Sequence, residues 1–255
     1  MILYVDVGNT HTVFGVKTDG EFIKWRLSTG RYETEDEIFS QMRVLLESRS
    51  ISLRDIREIV VASVVPSLNH VFQRFSEKFF RVEPLWVIAD DRCGVGWPVE
   101  DPKEIGADRV ANVVGAVHEY SKDVLVVDFG TAITIDVVLD GMFLGGVISP
   151  GLYTMLYSLF SGTAKLPLID LKIPKTAIGR NTEDNIRIGI LKGTAYAING
   201  LLKEISSELN RDFEIVITGG QAGLISELLV HDHHDPDLTL KGMEWYRKLH
   251  EDTPG

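Results

Sequence analysis

The chain has 255 residues, of which 44% are hydrophobic, and its 26 Lys and Arg against 37 Asp and Glu give a formal net charge of −11. This length allows one large domain or two modest domains that each bury a core, and the composition excludes a disordered chain. The acidic balance argues against nucleic acid as a partner, because proteins that bind it usually carry a basic surface stripe.

The sequence contains no recognisable targeting or membrane segment. Met1 leads directly into an apolar run without the basic region of a signal peptide, and no apolar run approaches the roughly 20 residues that cross a bilayer. Cys93 is the only cysteine, so no disulfide can form within the chain, and a lone cysteine beside Gly94 and Gly96 is more often incidental than nucleophilic. We therefore expect a cytoplasmic protein with no membrane partner.

The first element is a predicted strand-turn-strand hairpin whose tip is rich in phosphate-binding residue types. A short apolar run leads into the segment Asp6 to Val13, Asp-Val-Gly-Asn-Thr-His-Thr-Val, and the alternation on both sides of the turn is typical of a hairpin. Gly8 has no side chain that would hold backbone N–H groups away from an anion, while Asn9 and Thr10 add side-chain donors. With the Asp6 carboxylate beside them, these residues suit triphosphate oxygens and their metal ion.

The rest of the first half predicts an α/β layered domain. The alternation of residues 21–27 predicts a third strand, and the capping box at 34–37 opens an amphipathic helix. The apolar segment 59–65 is typical of a buried parallel strand, and a helix over 67–80 and a short strand at 85–88 follow it. An antiparallel meander followed by a βαβ unit is therefore expected.

A stretch rich in Gly, Pro and charge, residues 92–108, is the candidate connection between two halves, and we place the domain boundary between 105 and 106. It closes on Gly106-Ala107-Asp108-Arg109, which opens a predicted helix. At that helix N-terminus Asp108 is expected to stay ionised near neutral pH, and such a carboxylate can orient an alcohol and take its proton. Arg109 offers a planar fork for a substrate carboxylate. An ordinary N-cap beside a surface arginine is the alternative interpretation.

The hairpin pattern occurs a second time in residues 125–138, at an offset of 122 residues. Without a gap, Asp128 aligns with Asp6, Gly130 with Gly8, and Thr134 with Thr12. A duplication of this length predicts two similar domains, residues 1–105 and 106–255, whose hairpins face each other across a cleft. For either stretch alone, the chance occurrence of a common Asp-x-Gly turn is the alternative.

Three further patterns occur in the second half. A long helical pattern runs from Glu183 to about Leu209 and suits a subunit interface. A strand over 213–218 leads to Gly219 and Gly220, whose bare backbone suits a nucleotide. The run His231-Asp232-His233-His234-Asp235 has the residue types of metal ligands, but it lacks an apolar frame and a fixed helical spacing, so we expect a solvated loop.

The motifs together resemble one family. No Gly-x4-Gly-Lys-Ser/Thr occurs, which excludes a P-loop enzyme, and the paired Asp-Gly hairpins are similar to those of acetate and sugar kinases, actin and the heat-shock ATPases. Within that superfamily, seven motifs occur in the order seen in type III pantothenate kinases: Asp6 to Thr10, Ser63 to Pro66, Gly106 to Arg109, Asp128 to Ala132, Gly145-Gly146 with Pro150-Gly151, Gly179 to Thr182, and Thr218 to Gly220. The resemblance implies an α/β fold of two similar ribonuclease H-like, actin-like ATPase domains, each a mixed sheet flanked by helices, with the active site in the cleft between them.

The same resemblance implies the activity and its residues. It implies ATP-dependent phosphorylation of pantothenate to 4'-phosphopantothenate, the first step of coenzyme A biosynthesis, by a cytoplasmic homodimer that requires Mg²⁺ and a monovalent cation, K⁺ or NH4⁺. Asp108 would be the catalytic base, Asp6 would lie near magnesium, and Asp128 would hold the monovalent cation. Pantothenate would contact Gly106, Ala107, Asp108 and Arg109, with Thr182 from the neighbouring subunit. ATP would contact Asp6, Val7, Gly8, Asn9, Thr10, His11, Thr12, Val13, Thr131, Gly219 and Gly220.

Two positions depart from the family pattern. Many members carry a tyrosine where this chain has Val99, close to Trp97, and often a threonine where it has Ile133. Two alternatives to this function stay open. One is another small-alcohol kinase of the same superfamily, and the other is a nucleotide-binding regulatory protein without turnover.

Overall fold

A computed structural model describes residues 1–251, apart from the side chain of Arg31. The chain divides into two units, Met1–Glu119 with the segment from Asp237 onward, and Tyr120–Pro236. The strands are β1 (Ile2–Val7), β2 (His11–Thr18), β3 (Glu21–Ser28), β4 (Glu58–Ser63), β5 (Leu85–Trp86), β6 (Val124–Phe129), β7 (Ala132–Leu139), β8 (Met142–Pro150), β9 (Glu214–Thr218) and β10 (His233–His234). The helices are α1 (Glu35–Glu47), α2 (Pro66–Phe75), α3 (Ala107–Glu119), α4 (Leu152–Gly162), α5 (Thr182–Arg187), α6 (Gly193–Leu209) and α7 (Leu238–Glu251).

The two units contain sheets of the same topology. The first sheet has the strand order β3-β2-β1-β4-β5, and the second has the order β8-β7-β6-β9-β10. In each sheet three antiparallel strands form a meander. A fourth strand pairs in parallel with the first strand of the meander, and the fifth pairs in parallel with the fourth. The predicted duplication and the predicted α/β fold of two mixed sheets are confirmed.

The two hairpins differ by one residue at the tip. Asp6 pairs with Val13 across the first hairpin, whereas Asp128 pairs with Thr134 across the second. The reason is the turn: the Gly8 N–H donates to the carbonyl of His11, three positions on, and the Gly130 N–H donates to that of Ala132, two positions on. The ungapped match of Thr134 to Thr12 is therefore wrong by one position.

Most predicted elements occur with small changes. The pattern from Glu183 to Leu209 is helical throughout, but a π-helical turn at Ile188–Lys192 joins α5 to α6. Another π-helical turn, Ser76–Phe80, extends α2 over the predicted range. The capping box of α1 is confirmed, with the Thr34 hydroxyl oxygen accepting from the N–H of Glu37. The prediction of a loop at 231–235 is wrong for two residues, because His233 and His234 pair with β9 as an edge strand.

The division between units differs from the predicted boundary at 105/106. Helices α3 and α7, which sequence reasoning placed in residues 106–255, both belong to the first unit. They approach so closely that a Cβ on Gly242 would lie 2.5 Å from the carbonyl carbon of Ala111, and one on Gly115 would lie 2.8 Å from the carbonyl oxygen of Leu238. Small residues on both helices thus permit a backbone contact that sequence periodicity does not reveal.

Each unit has its own apolar core. In the first, residues of the sheet pack with those of α1 and α2, and the large buried side chains include Phe14, Phe72 and Phe75. In the second, residues of the sheet pack with those of α4, α5 and α6, around Phe129 and Leu156. Within residues 1–251, no helix combines the length and apolarity that a bilayer span requires.

Candidate active site

The first hairpin presents a tight turn with exposed polar residues. The turn leaves no room for a side chain at Gly8, because a Cβ there would lie 2.9 Å from the carbonyl oxygen of His11. Asn9 and Thr10 are exposed at the tip, and Asp6 is half-buried on β1. Since the Gly8 N–H is used inside the turn, this glycine offers open space at the tip rather than a free donor.

A buried threonine supports this turn from behind. The Thr29 hydroxyl donates to the carbonyl of Gly8 at 2.6 Å, and its N–H donates to that of Thr10 at 3.0 Å. The Thr12 hydroxyl, fully buried, lies 3.1 Å from that of Thr29 and hydrogen-bonds to Tyr32. The side chain of Thr12 thus belongs to the support of the turn, and that of Val7 to the core.

His11 ends the turn beside a cation. Its Nδ1 lies 2.8 Å from Nη2 of Arg26, so the imidazole accepts the hydrogen bond and is neutral. Burial lowers the pKa of His11, and the neighbouring Arg26 lowers this pKa further. Val13, half-buried, is the partner of Arg26 across β2 and β3.

Asp108 lies in the first turn of α3, where a half-buried carboxylate meets the helix N-terminus. Its Oδ1 accepts the backbone N–H of Arg109 at 2.7 Å. Burial raises the pKa of Asp108, while this hydrogen bond and the charge of Arg109 act in the opposite direction. The sequence-based expectation considered only the helix N-terminus, whereas burial is the larger effect. A carboxylate with a raised pKa accepts a proton more readily, which suits a general base.

The tight space around Gly106 and one backbone hydrogen bond link the Asp108 segment to the first hairpin inside one unit. A Cβ on Gly106 would lie 2.6 Å from Oδ1 of Asp108 and 3.2 Å from Cγ1 of Val64, so only glycine leaves the carboxylate in this position. Val64 in turn donates its N–H to the carbonyl of Val7 at 3.0 Å, at the end of β1. The predicted motifs at 6–10, 63–66 and 106–109 therefore converge.

The second hairpin lies against the loop that follows β9. Asp128 is half-buried and pairs in register with Thr218, and Thr131 is exposed at the tip. Gly219 has a φ of 94°, and a Cβ there would lie 2.5 Å from the nitrogen of Phe129 and even closer to the Asp128 carboxylate. Glycine is required here by both conformation and space. The structure thus brings the predicted Gly219-Gly220 pair next to Asp128.

Three residues that sequence reasoning missed hold the two turns. They are Thr29 behind the first turn and Gln221 and Thr154 behind the second. Gln221 donates from Nε2 to the carbonyl of Gly130 at 2.7 Å, and the Thr154 hydroxyl donates to that of Thr131 at 2.6 Å. No motif marks these residues, because their partners are backbone carbonyls 21, 91 and 23 positions away in the chain, respectively. Only the position of Gln221 directly after Gly219-Gly220 hints at its role.

The predicted pantothenate residues lie in different environments. Ala107 is buried, Arg109 is half-buried, and Thr182 is exposed at the start of α5. Thr182 borders an open groove of about 530 Å³ together with Lys165, Pro167, Asn181 and Glu183. The two family departures lie in different units. Val99, in the first unit, is half-buried, and the nearby Trp97 is buried with its Nε1 donating to the carbonyl of Asp90 at 3.0 Å. Ile133, in the second unit, is buried in the apolar core.

Two other candidate features, Cys93 and the 231–235 run, do not have the surroundings of a nucleophile or a metal site. Burial raises the pKa of the Cys93 thiol, which donates to the carbonyl of Asp90 at 2.9 Å, so this cysteine is not an activated nucleophile. In the 231–235 run, His233 is stacked on Tyr120 with ring centroids 4.4 Å apart and bonds to Glu214 at 2.5 Å. Within residues 1–251, no group of three or more His, Cys, Asp or Glu side chains could hold a metal ion.

Comparison with known proteins gives a consistent result over the whole chain. The sequence model that describes type III pantothenate kinases matches residues 2–204. The type III pantothenate kinase of Kosmotoga olearia is 48% identical over 261 residues, covering 100% of both chains. The type III pantothenate kinase of Petrotoga mobilis is 42% identical over 250 residues, covering 97% of this chain and 98% of its own.

Solved structures show the fold. A Campylobacter jejuni protein assigned to the Baf family of transcriptional activators matches with a TM-score of 0.63 and 20% identity, covering 98% of this chain and 100% of its own. A ROK family protein from Streptococcus pneumoniae matches with a TM-score of 0.51 and 13% identity, covering 98% and 99%. These likenesses confirm the predicted fold.

Proposed function

The chain belongs to the type III pantothenate kinase family, and from this premise we propose that it transfers the γ-phosphoryl group of ATP to the primary hydroxyl of pantothenate. The product is 4'-phosphopantothenate. The reaction is the first step of coenzyme A biosynthesis and takes place in the cytoplasm. The observation that carries the proposal is the close arrangement of Val64, Gly106 and Asp108 beside the first hairpin, because it places a general base near the turn expected to bind phosphate. Val64 hydrogen-bonds to the end of β1, and Gly106 leaves no room for a Cβ between Val64 and Asp108.

Asp108 acts as the base in this mechanism. The pantothenate oxygen forms a bond to the γ-phosphorus while the bond between that phosphorus and the bridging oxygen of ADP breaks, and the hydroxyl proton passes to the Asp108 carboxylate. Its raised pKa makes it a better proton acceptor than an ordinary aspartate. Most of the remaining barrier lowering comes from positioning and charge neutralisation, as is usual for phosphoryl transfer.

The two hairpins hold the nucleotide. The first contributes the segment Asp6 to Val13 and the second contributes Thr131, while Gly219 and Gly220 lie near the adenosine. The Asp6 carboxylate would lie near Mg²⁺, and the Asp128 carboxylate would hold K⁺ or NH4⁺. Both cations would neutralise phosphate charge. Each site offers one half-buried carboxylate rather than a cage of side chains, which suits ions that complete their coordination with phosphate oxygens and water.

We further propose a homodimer formed through the second unit, with Thr182 reaching the partner's pantothenate. Helix α4 exposes three aromatic side chains, Tyr153 (38% exposed), Tyr157 (54%) and Phe160 (48%). Contiguous exposed apolar surface of this kind marks interaction sites. We expect Tyr157→Glu to yield a monomer in light scattering with impaired use of pantothenate, whereas Val44→Glu, at an exposed apolar position on α1, stays dimeric. A monomeric wild-type protein would contradict the proposal.

The test of the activity is ADP release from ATP and magnesium. We expect turnover with pantothenate but not with glycerol, acetate or a hexose, and loss of turnover when sodium replaces potassium. Asp128→Asn should remove the response to potassium. Turnover with another alcohol would overturn the choice of substrate, and ATP binding without any alcohol-dependent ADP release would favour a regulatory protein.

A further inference from the structure

The carbonyl groups at the tip of the second hairpin are all hydrogen-bonded by one neighbouring surface. Phe129 accepts from the N–H of Gln221 at 3.0 Å, and Gly130 accepts from Nε2 of the same residue at 2.7 Å. Thr131 accepts from the N–H of Gly151 at 3.0 Å and from the Thr154 hydroxyl at 2.6 Å. Three consecutive carbonyl oxygens are therefore directed toward the 219–221 loop and the start of α4.

The amide of Gln221 has one consistent orientation. Its Nε2 faces a carbonyl, which can only accept, and its Oε1 lies 3.4 Å from the N–H of Tyr153, which can only donate. Exchanging the two atoms of the amide would place acceptor against acceptor and donor against donor. A single half-buried side chain thus connects the hairpin turn to the N-terminus of α4.

Fixing the Gly130 carbonyl also fixes the next N–H group. In a planar trans peptide the C=O of one residue and the N–H of the next point in opposite directions. With the Gly130 carbonyl held by Gln221, the Thr131 N–H is directed away from that side chain. If this peptide turned over, a carbonyl oxygen would take the place of the N–H and repel an anion.

The first hairpin fixes the same peptide with an unrelated residue. The Gly8 carbonyl, equivalent to that of Gly130, accepts from the Thr29 hydroxyl at 2.6 Å, which sets the direction of the Asn9 N–H. Two hairpins of the same topology therefore restrain the peptide after the turn glycine by different side chains from different parts of the chain. The common result is the orientation of that peptide.

We propose that Gln221 is a positioning residue for ATP, which holds the Gly130-Thr131 peptide with its N–H toward the phosphates. The proposal rests on the proposed function, in which Thr131 contacts ATP. Gln221 itself contacts no reacting atom and acts through the hairpin. Because it directly follows Gly219-Gly220, it also couples the loop assigned to adenosine with the turn assigned to phosphate.

The test separates nucleotide binding from pantothenate binding. Gln221→Met keeps the length of the side chain and removes both hydrogen bonds. The matched control is Gln73→Met, since Gln73 is also half-buried and uses both amide atoms, with Trp86 and Glu77 as partners. We expect Gln221→Met to raise the Kd and the KM for ATP about fivefold to tenfold, the range of one or two neutral hydrogen bonds, and to leave the KM for pantothenate within about twofold. The control should change neither constant.

A second variant tests the donor itself. Gln221→Glu keeps an acceptor for the Tyr153 N–H, but an ionised carboxylate faces the Gly130 carbonyl. Lowering the pH toward the glutamate pKa restores a donor, so ATP affinity relative to wild type should recover. Equal loss of both substrates in step with thermal stability, or unchanged ATP constants, would overturn the proposal. Failure of the wild-type protein to bind ATP would instead overturn the proposed function.

Discussion

The two hairpins share a topology and a restrained peptide but differ in how that restraint is built. In the first, Thr29 lies 21 positions from its partner Gly8 and belongs to the turn directly after β3. In the second, Gln221 lies 91 positions from Gly130, and residues at the start of α4 support the same tip. A local support can form with the meander, whereas a distant one requires the whole second sheet. Substitutions elsewhere in the chain should therefore affect the first hairpin little, whereas substitutions in the second sheet should also alter the second hairpin.

The largest expected effect belongs to the first unit and is catalytic. Asp108→Asn should lower turnover about 10²-fold or more, the usual scale for acid–base groups, with the Kd for ATP unchanged. Stability should not fall. The folded-state pKa of Asp108 is raised, so the ionised carboxylate costs stability as the pH rises above the ordinary aspartate value, and the neutral amide avoids this cost. Steady-state kinetics and thermal unfolding at pH 7 measure both effects.

Asp101→Asn is the matched control for this change. Asp101 is exposed and its Oδ1 accepts the N–H of Lys103 at 3.0 Å, outside the contacts of the site. Turnover of this variant should equal that of wild type. Near-normal turnover of Asp108→Asn would contradict the role of Asp108 as the base. It would also contradict the assignment of the catalytic group to the first unit.

The next prediction compares two glycines in unfolding free energy: Gly219, which packs against the second hairpin, and Gly8, which lies in the turn of the first. Gly219→Ala forces a φ of 94° on alanine and places its Cβ against Asp128 and Phe129, so we expect a loss of about 3 kcal/mol or more in unfolding free energy. Gly8→Ala meets only the His11 carbonyl at 2.9 Å and should cost less. Gly20→Ala, with a φ of 89° and open space around it, isolates the conformational cost at about 1 kcal/mol. Urea unfolding measures all three, and equal losses would show that the second hairpin is no more constrained.

The features that could be predicted from the sequence are those that depend on neighbouring residues or occur twice in the chain. The strand patterns, the capping box of α1 and the Asp-Gly turns depend on neighbouring residues, so they could be predicted. The single-residue difference between the hairpins could not, because both loop lengths fit the same residue types. The pairing of α3 with α7 depends on Gly115 and Gly242, whose close approach exists only in three dimensions. Gln221 was missed for the same reason, since a glutamine that bonds to distant carbonyls leaves no periodic signal.

A smaller effect tests the support of the first hairpin. Thr29→Val removes the hydroxyl that donates to Gly8 and should cost about 1 to 2 kcal/mol, because the buried Thr12 hydroxyl loses a partner as well. The ATP Kd should rise by a similar factor to that of Gln221→Met. Thr29→Ser keeps the hydroxyl and should restore ATP affinity, as measured by calorimetry. An unchanged ATP Kd in Thr29→Val would mean that only the second hairpin needs its support.

The smallest expected effect is the protonation of His11, because only the first turn contains a histidine. The carbonyl that closes the turn belongs to His11 in the first hairpin and to Ala132 in the second. The pKa of His11 is lowered in the folded state, so its contribution to stability is present above the ordinary histidine value and is lost as the pH falls below it. Arg26→Gln should raise this pKa without restoring the ordinary value, because burial is the larger cause.

NMR titration of the histidine ring protons measures this shift, with His11→Gln identifying the signal among the seven histidines. Arg26→Lys, which keeps the charge but not the planar fork, should leave the pKa lower than Arg26→Gln does. An unchanged pKa in Arg26→Gln would show that burial alone sets it. In that case the contact at 2.8 Å contributes nothing to the neutrality of His11.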